Sequence, residues 1–122
     1  MRAAAAALAA LALLTVPASA GAKSFHTPSG NIACLYSAKG GPGPFLRCDV
    51  HSLNDTAFRL DRKHRGRRVH VTDAVPAGHV LAYGRSLRLG PFTCKSRRTG
   101  LTCRARASRH GFFLSRARQR VF

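Results

Sequence analysis

Cys34, Cys48, Cys94 and Cys103 are the residues of this chain best placed to do defined chemistry, and that chemistry is oxidation to disulfides. Three pairings are possible on paper. Spacing favours Cys34–Cys48 and Cys94–Cys103, because each pair brackets its own turn. In the loop-entropy model, closing a loop of roughly ten to fifteen residues stabilises by about 3 kcal/mol. A structural zinc site would want cysteines about two to four apart, and these gaps are far wider.

The second group of candidate residues is basic. Arg59, Arg62, Lys63, Arg65, Arg67 and Arg68 crowd one segment. Together they suit a polyanion: an anionic cell-envelope polymer, a lipid headgroup or a nucleic acid. The competing reading is a solvated, mobile loop. No aromatic residue lies between Arg59 and Arg68 to stack on bases, so no dedicated nucleic-acid site is evident. Arg104, Arg106, Arg109, Arg116, Arg118 and Arg120 form a second basic group, set against its plainer role as the polar outer face of a sheet.

Other chemistry is thin. His26 and His110 could act as acid and base in phosphodiester cleavage, but their spacing does not demand it. The other four histidines show no metal spacing, so no metal or cofactor is expected. Gly84-Arg85-Ser86 lacks the glycine pattern of a nucleophile elbow. Gly41-Pro42-Gly43 is a turn and not a phosphate loop, since proline has no N–H and no lysine-serine pair follows. Asn54-Asp55-Thr56 matches a glycosylation sequon at chance rate.

Short strands must position these residues. Phe25 leads into a turn over Thr27-Pro28-Ser29-Gly30, with proline and glycine where a type I turn wants them. Residues 31–36 and 45–50 read as strands around Gly40–Pro44, a loose tip without ladder capacity. Cys34 and Cys48 would staple that hairpin. Residues 59–68 form a basic, mobile loop. Val69, Val71, Val75 and Val80 suggest strands around Pro76-Ala77-Gly78. Residues 111–116 read as a last strand, and Val121-Phe122 close the chain. No stretch keeps a 3.6-residue apolar repeat, so little helix is expected beyond residue 20.

The sharpest local geometry lies near the C-terminus. With Arg98-Thr99 as a two-residue turn, Arg97 faces Gly100 and Cys94 faces Cys103. Alternation outward from Arg97–Gly100 makes Cys94–Cys103 a non-hydrogen-bonded pair, where side chains lie closest. The same register puts Phe92, Cys94, Leu101, Cys103 and Ala105 on one face. Thr93, Lys95, Arg97, Thr102, Arg104 and Arg106 fall on the other. A slip of one residue would destroy both the disulfide and the apolar–basic split. Arg-Thr is a poor type I′ pair, so a longer loop using Gly100 at positive φ is the alternative.

The first residues set the compartment. Met1-Arg2 gives a positive start, residues 3–16 are an alanine-leucine run, and Pro17-Ala18-Ser19-Ala20 supplies a small-x-small cleavage site. The expectation is a signal peptide over 1–20, with an alternative cut after Ala22, and a single secreted β domain over 21–122. The run is too short for a membrane span. Of 21 Lys and Arg, Arg2 would leave with the signal; against four Asp and no Glu the remainder carries 20 − 4 = +16. Such a field attracts anionic polymers and surfaces. A domain of about 100 residues gains from disulfides because its core is modest.

Several fragments resemble a family of secreted bacterial β domains of unknown function. Phe25-His26-Thr27-Pro28-Ser29-Gly30-Asn31-Ile32-Ala33-Cys34 is similar to its opening, and Leu46-Arg47-Cys48-Asp49-Val50 to its second block. Leu81–Leu87, Gly90-Pro91-Phe92-Thr93-Cys94 and Gly100-Leu101-Thr102-Cys103 resemble the third, and His110-Gly111-Phe112-Phe113-Leu114-Ser115-Arg116 the last. The resemblance implies a compact exported β domain with no assigned activity and no catalytic residues to carry over. It also implies a central cysteine pair with a Trp-containing stretch, which this chain lacks over 51–80.

The fold expected is all-β: one small antiparallel sheet, partly open barrel or sandwich with two local disulfides. The leading function is non-enzymatic binding of an anionic cell-envelope component outside the cytoplasm. The alternatives are a small secreted hydrolase, such as a nuclease using His26 or His110, and a protein-binding or inhibitory module presenting Gly40–Pro44.

Overall fold

The structure, a computed structural model, describes residues 22–122. The segment read as a signal peptide lies outside the described residues. The described chain is all-β, with no helix, and forms eleven strands in two sheets. The first sheet holds β1 (Ala22–His26), β2 (Ile32–Gly40), β3 (Gly43–Val50), β4 (Thr56–Leu60), β5 (Arg67–His70) and β6 (His79–Val80). The second holds β7 (Ser86–Leu89), β8 (Phe92–Arg97), β9 (Gly100–Ala105), β10 (Gly111–Leu114) and β11 (Gln119–Val121).

Apart from β6, each sheet is a run of antiparallel neighbours in chain order. The first is ordered β5-β4-β3-β2-β1-β6, with β6 lying parallel to β1, and the second β11-β10-β9-β8-β7. Two meanders therefore follow one another along the chain, and their apolar faces form a single core. Phe25, Cys34, Tyr36, Leu46, Cys48, Phe58 and Leu60 enter it from the first sheet; Leu89, Phe92, Cys94, Leu101, Cys103, Phe112 and Leu114 enter from the second. Tyr36 meets Phe92 edge-on at 6.1 Å, and Phe58 meets Phe112 at 6.2 Å, so aromatic contacts join the sheets.

Both cysteine pairs close as their spacing predicts. Cys34 opposes Cys48 and Cys94 opposes Cys103, with Cα separations of 4.0 and 4.1 Å. These are close cross-strand positions, and both cystines are fully buried. The C-terminal hairpin has the expected register, from Arg97–Gly100 to Phe92–Ala105. The turn is the two-residue one; the longer loop is not used.

Other local readings need correction. Gly40–Pro44 is a tight turn, because Gly40 pairs with Gly43. Gly41 has φ of 63°, and Pro42 is locked at negative φ, the combination of a type II′ hairpin turn. Residues 111–116 are not the last strand: β10 stops at Leu114 and β11 returns against it. Of the four valines read as strand residues, only Val69 and Val80 lie in strands. Val75 is instead tied by its N–H to the Asp49 carboxylate, 3.2 Å away.

The segment 59–68 also differs from the loop expected. Arg59 and Leu60 end β4, Arg67 and Arg68 begin β5, and Arg59 pairs with Arg67. Opposed like charges disfavour such pairing. Phe58 and Leu60, both buried in the core, anchor β4 against that repulsion. Only residues 61–66 connect the two strands.

Candidate polyanion interface

Strand alternation sorts the basic residues before any ligand is considered. On the first sheet Arg47, Arg59 and Arg67 fall in one cross-strand row on the outer face, while Cys48, Phe58 and Arg68 fall in the next. Arg67 and Arg68 therefore point to opposite sides of the edge strand. Phe45, two residues before Arg47 on β3, shares the outer face. The Arg59 guanidinium lies 4.0 Å from the Phe45 ring centroid, a cation–π contact.

This arrangement opens a recess of about 240 Å³ at the hairpin end of the first sheet. Pro42, Gly43, Pro44 and Phe45 form one wall; Arg59, Arg62, Lys63 and Arg67 form the other. Two features that sequence reading kept separate, the Gly40–Pro44 turn and the basic segment, thus line one site. Of the six basic residues singled out there, the recess takes four. Arg65 is directed away, donating from Nη2 to the Val121 carbonyl at 3.1 Å. Arg68 does not line it.

Asp61 and His64 also border the recess, but the Asp61 carboxylate is engaged by its own turn. It accepts from the amides of Lys63 and His64, each at 2.8 Å, and its Oδ2 lies 3.0 Å from His64 Nδ1. Desolvation pushes this carboxyl up, but those hydrogen bonds outweigh it and hold it down to about 2. The charge that closes the turn is therefore not paired with any of the four basic side chains of the wall.

The remaining acids are spent or set apart. Asp49 accepts from Arg47 Nε at 2.8 Å, and Asp73 accepts from Arg47 Nη1 at 2.9 Å. Asp49, Asp55 and Asp73 border one recess between the β3–β4 connection and residues 71–74. Among the described residues, Arg47 is the only Lys or Arg within 4.0 Å of a carboxylate. Burial draws the Arg47 guanidinium down, but the hydrogen bonds and charges of Asp49 and Asp73 more than offset it and raise it overall.

The second basic group is divided. Arg104 and Arg120 both lie over the Phe122 ring, at 5.0 and 5.3 Å. Arg106 donates to the carbonyls of Phe92 and Gly90 and works as a brace. Arg109 sits at positive φ of 66° in the β9–β10 connection. Arg116 and Arg118 flank the β10–β11 turn, where the Ser115 hydroxyl accepts from the Arg118 amide at 3.0 Å.

The two histidines weighed for acid–base chemistry have separate settings. His26 Nδ1 lies 2.9 Å from the Ala77 carbonyl, beside β6. His110 lies in the β9–β10 connection, its amide donating to Ser108 Oγ at 3.3 Å. No hydrogen bond joins the two among the described residues.

Sequence reading missed Phe45 as the aromatic partner of the basic segment. No ring lies between Arg59 and Arg68 along the chain; the ring comes from the neighbouring strand, β3. The available signal was register: with Cys34 opposite Cys48 and Phe58 near them in the ladder, Phe45 must share a face with Arg59.

A protein-family model described as "Family of unknown function (DUF6636)" matches residues 45–122. The match begins in β3, so it takes in the blocks from Leu46 onward and leaves out Phe25–Cys34. No curated protein and no solved structure matches the chain.

Proposed function

We propose, for a chain that belongs to the DUF6636 family of unknown function, non-enzymatic binding of anionic cell-envelope polymers outside the cytoplasm. The observation that carries this reading is the recess walled by Arg59, Arg62, Lys63 and Arg67, none of which has a carboxylate partner among the described residues. A ligand carboxylate, phosphate or sulfate supplies the missing counter-charge, and Arg offers a fork of N–H donors to it. Phe45 beneath Arg59 holds one guanidinium in place and limits the entropy lost on binding. The two buried disulfides are compatible with an extracytoplasmic setting, since such bonds persist where the surroundings are oxidising.

Heparin chromatography of the oxidised protein tests the reading. The wild type should be retained at low salt and elute only at high salt, because attraction between exposed charges is screened. Arg62→Ala/Lys63→Ala/Arg67→Ala should elute at distinctly lower salt. Flow-through of the wild type at low salt, or an unshifted triple variant, would remove the basis for a polyanion site at this recess.

A further inference from the structure

The charge of this chain is segregated by sheet. All four acids lie between Asp49 and Asp73, within the first meander and its exit. From residue 74 onward there is no Asp or Glu, although Arg88, Lys95, Arg97, Arg98, Arg104, Arg106 and others stand there. The strands of the second sheet therefore carry no acidic side chain with which to neutralise their cations.

Its outer face is also shaped. A groove of about 430 Å³ runs over β8, β9 and β10, lined by Thr93, Lys95, Arg97, Thr102, Arg104 and Phe113. Register places these side chains in rows that cross the strands. From β7 onward one row is Ser86–Lys95–Thr102–Phe113–Arg120, and the next is Arg88–Thr93–Arg104–Gly111. With neighbouring strands about 4.8 Å apart, Lys95 and Phe113 begin about 10 Å from one another. Cations and hydroxyls therefore alternate along and between the rows, with Lys95 beside Thr93 on β8 and Thr102 beside Arg104 on β9, and the ring of Phe113 stands on β10.

Phe113 is laid across the sheet. A Cβ on Gly100 would come within 2.6 Å of the Phe113 ring, so the ring occupies the space a side chain at Gly100 would need. Phe113 is half-buried, and so are Thr93 and Thr102; Lys95, Arg97 and Arg104 are exposed around them. The floor is a ring with two hydroxyls, and the rim is cationic.

We infer that this groove binds an acidic polysaccharide, a chain of sugar rings bearing carboxylates. The axial C–H groups of a pyranose pack on the negative face of an aromatic ring, which Phe113 supplies. Sugar hydroxyls pair with Thr102, both donor and acceptor, and with Thr93, whose Oγ1 accepts from Arg106 Nη1 at 3.3 Å and keeps its own O–H to donate. Uronate carboxylates take Lys95, Arg97 and Arg104. Single-stranded nucleic acid is less well matched, because it stacks successive bases on successive rings and Phe113 is one ring. A bilayer is matched less well still: the groove is concave, and the exposed large hydrophobic residues described, Val80 and Tyr83, lie outside it. The groove shares no residue with the hairpin recess, so the two readings stand or fall separately.

Calorimetric titration of the oxidised protein with oligogalacturonate, its fully methyl-esterified neutral form and inorganic polyphosphate tests this. Lys95→Ala/Arg97→Ala should weaken oligogalacturonate binding by about tenfold or more, the scale of one or two charge-assisted hydrogen bonds. Phe113→Leu should weaken it by about fivefold, the scale of an aromatic contact, while leaving polyphosphate within about twofold. Arg62→Ala/Lys63→Ala/Arg67→Ala should leave oligogalacturonate within about twofold. An NMR titration of the wild type, which needs no variant to fold, should shift the amides of Thr93, Thr102 and Phe113. The inference is overturned if Phe113→Leu leaves oligogalacturonate unaffected, if only the hairpin variant abolishes its binding, or if the shifted amides lie elsewhere.

Discussion

Arg47 and Asp49 flank Cys48 on β3, so while the cysteine enters the core the two charges meet on the outer surface of the first sheet. Asp49 accepts from Arg47 and from the Val75 amide, and Arg47 reaches on to the carboxylate and main-chain carbonyl of Asp73. The short Arg-Cys-Asp run thereby fastens residues 73–75 to the sheet. Asp49→Ala leaves the half-buried Arg47 to Asp73 alone and the buried Val75 amide without its acceptor, and should cost about 2 kcal/mol in urea denaturation. Asp73 is 77 % exposed, so Asp73→Ala should cost at most about 1 kcal/mol. A second residue-scale prediction concerns Asp61. Its folded carboxyl titrates at about 2, below the unfolded value of about 3.9. The ionised turn therefore contributes stability that is fully present above the unfolded value and is lost as pH falls through the folded one. NMR titration of the Lys63 and His64 amides should show a midpoint near 2; a midpoint near 4 would mean that the turn does not hold the carboxylate. The Arg47–Asp49 alternation was legible from the strand pattern, but the reach to Asp73 was not, because its partners lie 26 residues apart.

At the scale of elements, the two stapled hairpins divide the work between the sheets. The disulfides close loops separated by 14 and 9 residues, one in each meander. Loop closure varies only with the logarithm of length, so losing either pair should cost about 3 kcal/mol, and the two losses should agree within about 1 kcal/mol. Urea midpoints of Cys34→Ala/Cys48→Ala and Cys94→Ala/Cys103→Ala measure this. The β4–β5 hairpin is held differently. The Gly66 amide donates to the Phe122 main-chain oxygen at 3.2 Å, and a Cβ on Gly66 would stand 2.3 Å from the Gly111 carbonyl oxygen. Gly66→Ala must separate the hairpin from β10 and should destabilise by about 2 kcal/mol, the scale of overpacking. The C-terminal hairpin was readable to the residue, since its disulfide and its apolar alternation demand one register. The β4–β5 hairpin was not: its turn is rich in charge, β5 has only a half-buried Val69 among exposed residues, and its support comes from the far end of the chain.

For the whole molecule, charge is the dominant field. Of 21 Lys and Arg, 20 lie in the described residues, and setting Arg47 aside leaves 19 without a carboxylate in reach. Self-repulsion of this kind lowers stability until anions collect at the surface. Sulfate should therefore raise the thermal midpoint more than sodium chloride at equal ionic strength, and the Lys95→Ala/Arg97→Ala variant should show a smaller rise. Equal rises in both salts would point to screening alone, without a preferred anion surface.

Composition and alternation determined the all-β class, the two disulfides, the basic excess and the inward and outward faces of the C-terminal hairpin, because each follows from near neighbours in the chain. The tertiary structure alone decided that Pro42 to Phe45 face Arg59 to Arg67 across one recess. It alone laid Phe113 over Gly100 and gathered the acid-free residues after Asp73 into one sheet. Those arrangements depend on which strands lie side by side and which faces turn outward, and pairing across the sheets is set by how two meanders close over a shared core.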